Sequence, residues 1–153
     1  MTENHRVVQR IERGIVIDHV PAGKSKYIVR ILKLETAPAT EYYTGINVSS
    51  QRLGRKDFIK IVNRDLTRNE LDKIALFAPR ATVNRIENFA VKEKIPITAP
   101  EKVEGVLVCP NMNCITNYEP GQESRFLRTS QQPLAIRCAY CEREFGEDEF
   151  NFL

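Results

Sequence analysis

The stretch Leu66-Thr67-Arg68-Asn69-Glu70-Leu71-Asp72-Lys73-Ile74-Ala75-Leu76-Phe77-Ala78-Pro79 decides how the first two-thirds of the chain is read. Thr67 and Glu70 stand at the spacing at which each side chain closes the other's open backbone N–H at a helix start. Leu66 and Leu71 flank them as a hydrophobic staple would. Leu71, Ile74, Ala75 and Ala78 then recur along one helical face. Pro79 ends the helix, because proline donates no backbone hydrogen bond and its ring clashes with the preceding turn.

Reading outward from this helix gives strands on both sides. Residues 82–91 downstream and residues 55–63 upstream read as strands, and residues 49–54 as the turn before the latter. Residues 41–48, rich in Tyr, Thr, Ile and Val, predict a further strand. Residues 24–35 place Tyr27, Ile28, Ile31 and Leu32 at helical spacing. Residues 7–20 predict a first long strand, bulged or bent at Gly14. The order β-α-β-β-α-β is the split βαβ, ferredoxin-like arrangement, one antiparallel sheet with both helices on one face. That arrangement implies no function by itself.

The chain's four cysteines all lie in its last third, as Cys109-Pro-Asn-Met-Asn-Cys114 and Cys138-Ala-Tyr-Cys141. Two short turns, each delivering two soft ligands, predict a closed four-thiolate zinc site of structural type. Two disulfides remain the alternative and would need an oxidising compartment. The polar start Met1-Thr-Glu-Asn-His5 points instead to a reducing cytoplasm. A catalytic zinc keeps an open position, and a zinc deaminase needs an H-x-E element; the only histidines are His5 and His19. Short segments at 105–108, 126–129, 134–137 and 144–145 read as strands of a small all-β module that the metal holds together. The fold class is thus α+β, an N-terminal ferredoxin-like sheet with two helices plus a C-terminal all-β zinc domain. The boundary falls near Ile95-Pro-Ile-Thr-Ala-Pro100, where two prolines favour an extended connector. Domains of residues 1–100 and 101–153 follow.

Charge separates the halves. Residues 1–100 carry 18 Lys/Arg against 11 Asp/Glu, a net +7, and residues 101–153 carry 5 against 9, a net −4. The basic half predicts an anionic ligand, and the acidic zinc end argues against nucleic acid there. With 42 % hydrophobic and 28 % charged residues the composition is that of a globular protein. No run of about 18 apolar residues marks a membrane span.

Several polar residues in the first half are candidates for that anion. Asp18 and His19 close a strand, with side chains expected on opposite sides of the sheet. Lys56 and Lys60 share a strand face with Phe58 and Val62, where snorkelling into solvent is the ordinary outcome. Asn84-Arg85-Ile86-Glu87-Asn88-Phe89 offers amide, backbone and aromatic groups on what reads as one strand, with Lys92 and Lys94 after it. No P-loop, no Rossmann glycine pattern and no nucleophile–base–orienter set is present. Two other readings share these features. One is an RNA-binding zinc-ribbon protein, which lacks the RNP1-like aromatic pattern. The other is a nucleotide-handling enzyme, which lacks a phosphate loop.

The segments Arg13-Gly-Ile-Val-Ile-Asp18-His19-Val-Pro21, Gly54-Arg-Lys-Asp-Phe-Ile-Lys60-Ile, Ala75-Leu-Phe-Ala-Pro-Arg-Ala-Thr-Val-Asn84-Arg-Ile86-Glu-Asn, Val106-Leu-Val-Cys-Pro-Asn-Met-Asn-Cys114-Ile and Cys138-x-x-Cys141-Glu-x-Glu-Phe145 together resemble the aspartate carbamoyltransferase regulatory chain family. The resemblance covers essentially the whole chain. It implies a non-catalytic subunit of pyrimidine biosynthesis, with an allosteric domain that binds CTP and ATP, UTP being a further candidate effector. It implies a zinc domain, with one Zn2+ per chain, docked on catalytic chains, and a homodimer of regulatory chains that joins catalytic trimers. No nucleic acid and no membrane enter.

By the same resemblance Asp18 and Lys60 would contact the ribose, Lys60 also the base. His19 and Lys94 would meet the triphosphate, with Val91 beside them. Ile11, Ile86 and Phe89 would give backbone or packing contacts to the base, and Asn84 would line the pocket. Lys56 would serve a second nucleotide or metal-linked contact. Asn111, Asn113, Tyr140 and Glu142 would face a catalytic chain. Gln9-Arg10 and Phe89 depart from the Glu-Ala pair and the Tyr that the family pattern leads one to expect, and Arg10 bears on the discrimination between CTP and ATP.

Overall fold

The computed structural model describes residues 10–36 and 40–152 and divides the chain into two compact units, Met1–Thr98 and Ala99–Leu153. The expected start of the first strand at residues 7–9, together with Gln9 and His5, lies outside the described residues.

In the first unit β1 (Gly14–Pro21), α1 (Ser25–Ile31), β2 (Tyr42–Ser50), β3 (Gly54–Val62), α2 (Arg68–Phe77), β4 (Thr82–Glu87) and β5 (Ala90–Ile95) follow in order. The sheet order is β2-β3-β1-β4-β5, and its pairings are antiparallel. The first four of these strands and the two helices make the split βαβ pattern; β5 is an added edge. The segment expected as one strand over 82–91 is instead a hairpin. Asn88 and Phe89 both take left-handed φ values, 52° and 64°, and turn the chain back. Asparagine tolerates that conformation, but Phe89 gives no local sign of it.

Alternation divides the sheet faces. Ile15, Ile17, Ile59 and Ile61 are fully buried and share their face with Asp57, whose carboxylate Oδ2 accepts from the Ser25 N–H (3.1 Å) and Oγ–H (2.6 Å) at the start of α1. This is the helix-covered face. The two helices meet through the stacked rings of Tyr27 and Phe77, centroids 4.9 Å apart. Helix α2 has the expected reciprocal cap: Thr67 Oγ1 accepts from Glu70 N–H at 3.1 Å and Glu70 Oε1 from Thr67 N–H at 2.9 Å. Helix α1 is shorter than expected. Lys33 turns left-handed (φ 55°), and the Lys33 and Leu34 N–H groups return to the carbonyls of Arg30 and Val29 at 3.1 and 3.0 Å. That is a Schellman end made without glycine.

Two glycines are required by close approach. Gly14 has φ 144° and a side chain there would strike the Ile61 carbonyl; Gly45 lies against the Phe58 ring.

The second unit contains β6 (Lys102–Glu104), β7 (Leu107–Val108), β8 (Arg125–Gln131), β9 (Leu134–Cys138), β10 (Glu144–Gly146) and β11 (Asn151–Phe152). Strands β10-β9-β8-β6 form one sheet and β11-β7 a second. Phe126, Phe145 and Phe150 meet edge to face, with centroids 5.8 and 6.0 Å apart, as its aromatic core. Among the described residues no helix is long and apolar enough to cross a membrane.

Candidate functional site

The face of the first sheet away from the helices carries polar groups in register. Lys60 of β3 and Asn84 of β4 both stand opposite Val16 of β1, and Lys94 of β5 stands opposite Asn84. One row thus crosses four strands. Two residues towards the C-terminal end of β1, a bulge begins: Asp18 and His19 together oppose Phe58 alone, between the pairs Ile17–Ile59 and Val20–Asp57. His19 takes φ 56°, and its N–H bonds the Asp18 carboxylate at 2.7 Å. Strict alternation would have sent these two side chains to opposite faces. The bulge is the reason it does not, and both border one cleft.

That cleft encloses about 670 Å³. Strand β1 contributes Asp18 and His19, β3 Lys56, β4 Thr82 and Asn84, β5 Lys94, and the chain after β5 Pro96 and Ile97. The β2–β3 turn adds Arg52 and the segment after α2 adds Arg80. Two lysines, two arginines and one imidazole therefore face one carboxylate. That carboxylate is already engaged: Lys56 Nζ lies 2.9 Å from Asp18 Oδ1 and 3.1 Å from Oδ2, with both groups buried.

Lys60 is buried as well, its ammonium 5.7 Å from the Phe58 ring centroid. Burial holds it below the ordinary lysine value; Asp18 opposes that pull and Arg10 adds to it. Neither Lys56 nor Lys60 snorkels. His19 Nδ1 lies 3.0 Å from Thr82 Oγ1, and burial draws its imidazole below the usual value against the pull of Asp18. Asn84 Oδ1 is buried without a hydrogen-bond partner among the described residues. A buried amide oxygen in that condition costs free energy unless a donor arrives.

Farther along the same face lie the other expected contact residues. Ile86 pairs with Gly14 and with Val91, Ile11 is buried, and Phe89 and Val91 are exposed at the β4–β5 turn. These four do not line the cleft; Lys60, beside Asp18 on the sheet face, does not line it either.

In the second unit Cys109 follows β7, Cys114 precedes a 3-10 turn at Ile115–Asn117, Cys138 ends β9 and Cys141 closes the next turn. Their sulfurs lie within 4.8 Å of one another, with Cys109–Cys141 and Cys114–Cys138 both at 3.7 Å. A tetrahedron of sulfurs at about 2.3 Å from zinc has edges of about 3.8 Å. A disulfide would bring sulfurs to about 2.05 Å, so the geometry fits a metal and not two bridges. Burial pushes the Cys109 and Cys138 thiols up. Burial also pushes Cys141 up, but the Asn111 side chain and the Arg143 backbone N–H help to hold it down at about 7. Four thiolates so placed need a cation between them. Asn117 Nδ2 donates to the carbonyls of Cys109 (2.9 Å) and Asn111 (2.7 Å) and so ties the first cysteine loop together.

Residues 6–98 match the family described as aspartate carbamoyltransferase regulatory chain, allosteric domain, and residues 101–151 match its metal binding domain. The chain belongs to the aspartate carbamoyltransferase regulatory chain family. It is 46 % identical to the regulatory chain of Methanopyrus kandleri over 95 % of this chain and 94 % of that one. It is 45 % identical to that of Thermoplasma acidophilum over 93 % and 94 %. It is 42 % identical to that of Yersinia enterocolitica over 95 % and 94 %. A regulatory chain of this family is not the catalytic one, and it has an allosteric and a metal-binding part. The four-cysteine cluster is that metal centre, with the donor set of structural zinc.

Within the regulatory chain, sequence reasoning missed Arg52, Arg80 and Asp57. Arg52 and Arg80 sit in separate turns, and only the sheet order brings them to Asp18. Asp57 accepts from Gly23 N–H, Ser25 N–H, Ser25 Oγ–H and Asn47 N–H at 2.6–3.1 Å. It reads locally as one more charged residue in a strand. Of the residues expected to face a catalytic chain, Asn113, Tyr140 and Glu142 are exposed, whereas Asn111 is half-buried and its Oδ1 accepts from Asn113 N–H at 3.1 Å.

Proposed function

We propose that the cleft of the first unit binds the triphosphate of CTP and ATP, and that this binding regulates aspartate carbamoyltransferase through the zinc unit. The observation that carries this reading is the gathering of His19, Arg52, Lys56, Arg80 and Lys94 around a single, already paired carboxylate. A cleft lined by one sign of charge concentrates anions of the other. Asn84 Oδ1 adds an acceptor awaiting a donor, which an amino or hydroxyl group of a nucleoside supplies. Lys60, on the same row, stands beside the ribose and base, and Asp18 beside the ribose. Ile11, Ile86, Phe89 and Val91 form the base end, and Lys56 serves a second nucleotide contact as well.

The wall of the cleft includes Ile95, Pro96 and Ile97, so an occupant touches the chain that leads on to the metal-binding unit. An effector shifts an equilibrium only by its difference in affinity for two states. In this reading residues 1–100 sense the nucleotide, and residues 101–153 carry the response to catalytic chains, in a cytoplasmic assembly joined by regulatory dimers. The docking face includes Asn113, Tyr140 and Glu142, next to the exposed Met112, Ile115 and Tyr118. An RNA-binding role finds less support, because Phe58, the aromatic of central strands β1 and β3, is fully buried.

Calorimetric titration of the zinc-loaded chain with CTP and ATP tests the site. Saturable binding is expected, and Lys94→Ala, at an exposed position, is expected to weaken it by about tenfold or more, as for loss of a charge-assisted hydrogen bond. Binding that is indifferent to Lys94→Ala and to Arg80→Ala places the nucleotide elsewhere.

A further inference from the structure

Strand β5 ends its ladder at Ile95, opposite Val83, and the next two residues, Pro96 and Ile97, form part of the cleft wall. From there to Pro100 the chain is stiff. Each proline fixes its own φ and disfavours helical backbone in the residue before it, Ile95 or Ala99. An arginine grips this stretch at either end. In the first unit Arg68 Nη1 donates to the Pro96 carbonyl at 3.1 Å. In the second unit Arg128 Nε donates to the Pro100 carbonyl at 3.0 Å, and the Arg128 N–H bonds the Glu101 carbonyl at 2.8 Å. Only residues 97–99 separate the two gripped carbonyls.

Arg68 stands on fixed ground. It is the first residue of α2, directly after Thr67, which shares the reciprocal cap with Glu70. The Glu70 carboxylate also accepts from Arg64 Nη2 at 2.8 Å, and Arg64 Nη1 donates to the Leu32 carbonyl at the end of α1 at 2.9 Å. The start of α2 is thus braced against the end of α1.

We infer that Arg68 is a coupling residue: it holds the connector in one of two positions, and an occupant of the cleft, pressing on Pro96 and Ile97, shifts the balance between them. The inference rests on the nucleotide reading above. The occupant and Arg68 act on the same residue, Pro96, so both bias one equilibrium, which is what coupling requires. Arg68 itself does not line the cleft, so its loss leaves the contacts with a nucleotide in place. With the prolines stiff and Arg128 on the far carbonyl, a displacement at Pro96 passes to Glu101 with little slack.

The test uses catalytic chains assembled with wild type, Arg68→Ala or Arg68→Lys. Aspartate saturation of carbamoyl transfer is measured with and without CTP, and CTP binding to each assembly is followed by calorimetry. Arg68→Ala is expected to bind CTP still, and to cut the CTP-induced change in half-saturating aspartate by about threefold, the factor that one exposed hydrogen bond sets on an equilibrium. Arg68→Lys, which keeps a cationic donor, is expected to recover part of that change. An undiminished change in Arg68→Ala would overturn the coupling role and leave the cleft standing, and Arg68 would then serve stability alone. Loss of CTP binding in step with the change would also overturn it, because Arg68 would then belong to the nucleotide site. A wild-type assembly that does not bind CTP would remove the nucleotide reading and this inference with it.

Discussion

His19 sits in left-handed backbone at a bulge, its N–H on Asp18 and its ring against Thr82, facing a cluster of cations. Burial lowers its proton affinity from the ordinary value of 6.5. The free folded chain therefore binds fewer protons at this site than the unfolded chain, and the stability His19 contributes is present above that value and lost as pH falls through it. A bound triphosphate acts in the other direction, because an anion favours imidazolium. CTP affinity should rise as pH falls from about 8 to about 6, and His19→Gln should flatten that rise. Equal slopes in both proteins would deny the contact with phosphate. The identities of Asp18, His19, Lys56, Asn84 and Lys94 were legible as candidates in the sequence. Their convergence was not, because it depends on a bulge that moves one residue out of alternation and on strand order that no local pattern encodes.

Secondary-structure elements were legible where their ends are made by residues close in sequence. Thr67 and Glu70 are such a pair, and Thr67→Ala should cost about 1 kcal/mol of stability. Urea unfolding of the variant would show this as a lower midpoint with an unchanged slope; an unaltered midpoint would mean the reciprocal cap contributes nothing to the folded chain. The ends that were misread are made by uncommon means. Helix α1 stops at Lys33 in a conformation usually left to glycine, and the β4–β5 turn places a phenylalanine in that same region. The start of α1 is closed by Asp57, 32 residues away from Ser25, which no helix-start pattern would identify.

For the whole molecule, the division at Thr98 and Ala99 gives metal removal a defined consequence. The second unit has a small aromatic core and four thiols that coexist as ligands only around a cation. Chelation of zinc should abolish the dispersed amide resonances of residues 99–153, while those of the first unit, and its CTP binding, persist. Loss of both together would show that the units do not fold independently. The metal site was the most legible feature of all, since four soft ligands in two short turns need only sequence spacing to be recognised.

The central claim joins the cleft to control of a partner. The direct measurement is the aspartate saturation curve of carbamoyl transfer by catalytic chains assembled with this zinc-loaded chain, with and without CTP, for wild type and for Lys60→Ala. The account predicts that CTP displaces the curve of the wild-type assembly and leaves that of the Lys60→Ala assembly unmoved. Superimposable curves with and without CTP in a fully assembled wild-type complex would contradict it.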